Sequence, residues 1–167
     1  FIGERLVMVQ CHAKTQQISE FLFTDITSVS ADGDGLGSIS IASENNDILR
    51  GVKGLAAILP GTQIKAVISN SSDLKEFLQT CKEGIVLVDI KLRGLRTILH
   101  EREKNSNCKI VLMVSPLVEQ ELLAGVEPFV FDGYISKVAN DATFVEMVSV
   151  IKNKGKYYDP CLDKVLN

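Results

Sequence analysis

The sequence has no excess of positive charge: 18 Lys and Arg stand against 21 Asp and Glu, a formal net charge of −3 with a pI near 5.4. A surface that grips nucleic acid by its phosphates needs a Lys/Arg excess, so the composition argues against DNA binding by simple electrostatics. Long apolar runs are missing too. None approaches the roughly 18 residues that cross a bilayer, and no secretory signal pattern opens the chain. The expectation is a soluble, cytoplasmic protein with no membrane partner. Phe1 stands where an initiating Met would, which points to a trimmed chain. Histidine is limited to His12 and His100, and Cys11, Cys81, Cys108 and Cys161 fall at no paired spacing. A zinc site needs clustered ligands, so the cysteines read as reduced thiols and the two histidines as surface residues. A phosphate loop joining strand to helix is absent as well: GDGLG at Gly33–Gly37 precedes a strand, which fails the structural test for a nucleotide site. No internal repeat is found.

What is present fits one globular domain with an extension. The chain has 167 residues, 46% hydrophobic and 23% charged, enough to bury a sizeable core. Thr27 to Ser38, TSVSADGDGLGS, is poor in residues that pack and reads as a linker. Residues 1–36 form an N-terminal extension in which Leu6, Val9, Ile18, Phe21 and Leu22 fall at mixed helical spacing. Such a segment can pack on the domain or dimerise.

Beyond the linker, short β-branched runs alternate with helical segments. Strands are expected at Ile39–Ala42, Ile64–Ser69, Ile85–Asp89, Lys109–Ser115 and Gly133–Ser136. Helices are expected at Asp47–Leu59, Ser72–Cys81 with Ser72 as N-cap, Arg96–Lys104 and Asp141–Lys154. IVLVD and KIVLMV are apolar nearly throughout, as strands buried on both faces are. Five strands alternating with helices require a parallel sheet covered on both sides, a doubly wound α/β fold. Ligands in such sheets bind at the carboxyl ends of the strands beside the topological switch point. The polar residues at those ends are Glu44, Asn45, Asp89, Ser115 and Lys137. Carboxylates suit a divalent cation, while a hydroxyl and an ammonium suit an anion.

On these residues the sequence resembles the response-regulator receiver family, from about Ser38 to Asn167. The matching pieces are IVLVDIKLRG (Ile85–Gly94), IVLMVS (Ile110–Ser115) and DGYISK (Asp132–Lys137), and the 45 residues from Glu44 to Asp89 and 22 from Ser115 to Lys137 are close to family habit. The resemblance implies a flavodoxin-like (CheY-like) receiver domain over residues 37–154, with five parallel strands. It implies Asp89 as phospho-acceptor, Lys137 as phosphate-binding lysine, Ser115 as switch hydroxyl and Tyr134 as the switching aromatic. Glu44, Asn45 and Asp89 would be the ligands of a Mg²⁺ ion. The partners it implies are a sensor histidine kinase, a homodimer mate, and DNA only through an output domain not in this chain. Residues 155–167, GKYYDPCLDKVLN, look like the linker or helix that leads to such a domain in the LuxR/NarL-type branch.

The sequence also departs from the family pattern. Asn45 stands where a second acid normally touches the metal, which weakens the Mg²⁺ site. Arg93 replaces the usual Pro, Pro116 follows Ser115 where a small residue is preferred, and Gly125 and Pro128 break up the fourth helix. Two readings follow, neither of them an enzyme. One is a receiver phosphorylated on Asp89 that switches transcriptional output. The alternative is a pseudo-receiver that acts as a phosphorylation-independent interaction module. A small flavodoxin-like enzyme is the third and weakest.

Overall fold

The computed structural model describes residues 37–95, 108–116, 119, 122, 131–153 and 155–162. The expected extension 1–36, the helix at 96–104 and most of the broken fourth helix lie outside them. Six strands form one sheet: β1 (Gly37–Ala42), β2 (Thr62–Ile68), β3 (Ile85–Asp89), β4 (Lys109–Val114), β5 (Gly133–Ser136) and β6 (Tyr157–Tyr158). Their order is β2-β1-β3-β4-β5-β6 and every pairing is parallel. The described helices are α1 (Asn46–Ala57), α2 (Ser71–Thr80) and α3 (Asp141–Lys152).

The period-2 alternation of a strand sends successive side chains to opposite faces, and here both faces are covered. Ile39, Ile41, Ile85, Leu87, Val111, Met113 and Ile135 pack with Leu49 and Val52 of α1 and with Phe144, Met147, Val148 and Ile151 of α3. Val86, Val88, Ile110, Leu112, Val114 and Tyr134 join the opposite core with Leu74 and Leu78 of α2. This is why β3 and β4 carry no alternating polar residues.

The helix starts are set by asparagines. Asn45 caps α1 through Asp47 N–H, and Asn140 caps α3 through Thr143 N–H. At α2 the cap is Asn70 rather than the expected Ser72. Its Oδ1 accepts from Asp73 N–H at 2.9 Å while its Nδ2 donates to the Asp73 carboxylate at 2.8 Å. That reciprocal closure satisfies more groups than a lone serine hydroxyl would.

Two expectations are corrected. First, the sheet has six strands, because residues expected to be a linker or outgoing helix return to the domain. β6 pairs with Gly133 and Tyr134 of β5. A Cβ on Gly133 would meet the Tyr157 carbonyl oxygen at 2.8 Å, so glycine is what admits the strand so closely. The turn that follows buries Asp159 and Leu162; Asp159 Oδ2 accepts from Ser136 N–H at 2.8 Å and holds the end of β5. Second, the cysteines among the described residues are not reduced. Cys81, at the end of α2, is bonded to Cys108, just before β4, across a sequence separation of 27, and Cys161 is disulfide-bonded as well. Scattered spacing in sequence hid residues that the fold brings within bonding range. Such bonds are rare where cytosolic reductants keep thiols reduced. Among the described residues no helix is long and apolar enough to cross a membrane.

Candidate functional site

The site lies where the doubly wound order predicts, at the carboxyl ends of β1 and β3, the neighbours on either side of the switch point. Asp89, the last residue of β3, is 3% exposed. Ser43, one residue past β1, donates its hydroxyl to Asp89 Oδ2 at 2.7 Å. Asp89 Oδ1 accepts the Lys91 N–H at 2.9 Å, a local turn closure. Lys137, just past β5 and anchored by its N–H to the Val114 carbonyl, brings Nζ to 2.6 Å from the same oxygen.

The ammonium of Lys137 has a second partner. Glu119 is 1% exposed and places Oε1 at 2.7 Å from Lys137 Nζ. Lys91 Nζ stands 3.2 Å from that oxygen. The other oxygen, Oε2, accepts the Ser115 N–H at 2.8 Å. Two buried carboxylates therefore converge on one buried ammonium, with Lys91 balancing the remaining charge from a half-exposed position. A buried ion without such partners would cost several kcal/mol, and here each has them.

The sequence-derived residues divide accordingly. Asp89 and Lys137 meet. Ser115 reaches the site through its main-chain N–H, which donates to Glu119. Glu44 points to the rim, where its carboxylate lies 3.7 Å from Arg93 Nε and both side chains are well exposed. Asn45 spends its Oδ1 on the α1 cap at 2.8 Å from Asp47 N–H. Tyr134 is not among the polar groups; it is buried in the core, edge-on to Phe131 and stacked on Tyr158 at 5.6 Å. Its hydroxyl finds no hydrogen-bond partner, and burial, with Tyr158 beside it, pushes the phenol well above its usual range.

Ser43 and Glu119 were not singled out from sequence. Ser43 sits directly before the Glu44-Asn45 pair that drew attention. Glu119 belongs to SPLVE, where a serine and a glutamate four apart can close a helical turn, a local signal that gives no hint of the reach to Lys137.

A Mg²⁺ ion, implied by the resemblance, would find a weakened site in these residues. A magnesium site uses carboxylates and waters with free oxygen lone pairs facing the ion. Both oxygens of Asp89 already hold donors, and the Glu119 carboxylate is taken by Lys137 and the Ser115 N–H. Glu44 stands exposed at the rim and Asn45 is spent on the α1 cap, and no group of three metal-ligating His, Cys, Asp or Glu occurs among the described residues. A cavity of about 430 Å³ reaches Lys137 from between α1 and α3, but Ile48, Val52, Leu55, Leu87, Met113 and Phe144 make its walls apolar.

Comparison with solved structures places the fold. The isolated receiver domain of RcsB from Salmonella enterica serovar Typhimurium, with phosphomimetic BeF₃⁻, matches with a TM-score of 0.65 and 12% identity, covering 78% of this chain and 98% of that one. The chain has the receiver-domain fold. A LuxR-family two-component response regulator from Aurantimonas sp. matches at 0.59 and 16% identity, over 77% of this chain and 94% of that one. A structure of two RcsB dimers bound to two parallel DNAs matches at 0.66 and 12% identity, over 77% of this chain and 67% of that one. Against another RcsB chain, from Salmonella typhimurium, the receiver-fold chain spans 64% of the length. What these matches share is the fold. No family model matches the sequence, and no curated protein does.

Proposed function

We propose that this receiver domain belongs to a response regulator of the LuxR/NarL type and signals by protein contact, without taking a phosphoryl group on Asp89. The observation that carries this reading is the fate of the residues beside Asp89. Ser43 donates to its carboxylate and Asn45 caps a helix, which leaves only the exposed Glu44 after β1 to help Asp89 hold a divalent cation. Without that cation, an incoming phosphoryl dianion meets the charges of Asp89 and Glu119. In this reading the domain is not an enzyme and needs no metal, and a sensor histidine kinase is dispensable. Its partners are protein surfaces: a second copy of the chain or an output domain, and any DNA contact would fall to the output domain because the net charge is −3.

The reading that Asp89 accepts phosphate from a histidine kinase keeps one supporting observation, the 2.6 Å pairing of Asp89 with Lys137. Incubation with acetyl phosphate and Mg²⁺, followed by intact mass and sedimentation, separates the two. The interaction-module reading expects unchanged mass and unchanged association state. A Mg²⁺-dependent phosphoryl adduct that disappears in Asp89→Asn would return the domain to the phosphorylated class.

A further inference from the structure

We propose that Glu119 is a built-in anion: its carboxylate fills an oxyanion seat made by Lys137 Nζ, Lys91 Nζ and the Ser115 N–H, and so holds the domain permanently in one occupied state.

The seat is defined by its donors. An ammonium at 2.7 Å, a second ammonium at 3.2 Å and a main-chain N–H at 2.8 Å converge on the two oxygens of one carboxylate. They come from three separate parts of the chain: the ends of β4 and β5 and the turn after β3. Charged and main-chain donors arranged around a small volume bind tetrahedral oxyanions as readily as carboxylates. The chemical class the seat would take, were it open, is a phosphate- or sulfate-like dianion next to Asp89.

A purely local role for Glu119 would be smaller than what is observed. Its N–H donates to the Ser115 carbonyl at 3.1 Å and its Oε2 accepts the Ser115 N–H, which already closes that turn. One oxygen would suffice for this. The second instead crosses a sequence separation of 18 to Lys137, the residue that also holds Asp89. Burial to 1% exposure then seals the carboxylate away from water and from competing anions.

This inference deepens the reading that Asp89 takes no phosphoryl group, and its test needs neither Mg²⁺ nor a phosphoryl donor. Native chain and Glu119→Ala are titrated with inorganic phosphate, then sulfate, against chloride at matched ionic strength, following melting temperature and the Ser115 amide resonance. The native protein should not respond. Glu119→Ala should show saturable stabilisation, with apparent binding at least about tenfold tighter than native, and its Ser115 amide should move back toward the native position as phosphate fills the seat. Should Glu119→Ala be unfolded in plain buffer, the same titration reads as recovery of folding. In Glu119→Gln, which keeps the shape and removes the charge, the Ser115 amide should move upfield. A Glu119→Ala chain that gains no affinity and no recovery with either oxyanion would overturn the proposal. So would a Ser115 amide indifferent to Glu119→Gln. Phosphorylation of the native chain by acetyl phosphate would remove the reading above while leaving this titration to judge the seat.

Discussion

Ser43 and Asp89 are joined by a 2.7 Å hydrogen bond across the switch point of the sheet, tying the end of β1 to the end of β3. Both residues are buried, so the bond replaces water that neither can reach. A hydrogen bond to a charged group is worth about 1.5–3 kcal/mol. Ser43→Ala should therefore lower stability by about 2 kcal/mol in urea denaturation, and Ser43→Thr should lose less if its methyl can be accommodated. A Ser43→Ala chain as stable as the native one would show that the bond is not formed in solution.

Lys137 neutralises two carboxylates at once. Replacing it with Met leaves Asp89 and Glu119 buried beside each other without their shared cation. Breaking a buried pair in this way costs about 3–5 kcal/mol. Adding Glu119→Gln to Lys137→Met should recover part of that loss, because one of the two stranded charges is gone. Equal stability of the single and double variants would mean that the carboxylates do not share the lysine.

The Cys81–Cys108 bond closes a loop of sequence separation 27. By the entropy of loop closure, removing it destabilises the domain by about 3.5 kcal/mol. Melting in the presence of a strong thiol reductant should fall by roughly 10 °C, and Cys108→Ser should show a fall that reductant deepens only through Cys161. Melting that ignores reductant would show that the thiols are free in solution.

Two tyrosines set an alkaline limit. Tyr157 is raised by burial and then by Glu146 and Asp159, with its hydroxyl donated to Glu146 at 3.2 Å; Tyr134 is raised by burial and then by Tyr158. A phenol whose folded value lies above its usual value of about 10 binds its proton more tightly in the folded state. The stability this contributes is fully present below about pH 10 and is lost as pH rises further. Phenolate absorbance from Tyr134 and Tyr157, isolated with Tyr→Phe variants, should appear together with loss of the circular dichroism signal. Phenolate appearing in a chain that remains folded would contradict the burial of these rings.

Much of the fold was legible because its signals are local. IVLVD and GYIS coincide with β3 and β5 to the residue, and for β3 the signal is the near-continuous apolar run of a strand buried on both faces. β6 was not legible: two residues beside Gly155 and Pro160 carry no period, and only the pairing with Gly133 makes them a strand. The Cys81–Cys108 bond was hidden for the same reason, as neither spacing nor composition places the end of α2 against the start of β4. Within the site, Asp89 and Lys137 were readable as polar ends of apolar strands. Ser43 and Glu119 were not, because their roles depend on where a hydroxyl and a carboxylate reach in three dimensions. Asn45 was read as a weakened metal ligand, and the geometry gives its oxygen a helix N–H instead.

The most direct test of a receiver fold that runs without phosphate is a beryllofluoride titration with Mg²⁺, followed by amide resonances of Asp89, Ser115 and Lys137. The account predicts spectra that superimpose on those of the untreated protein, for native and Asp89→Asn alike. Saturable, Mg²⁺-dependent shifts at those three residues in the native chain, absent from Asp89→Asn, would contradict it.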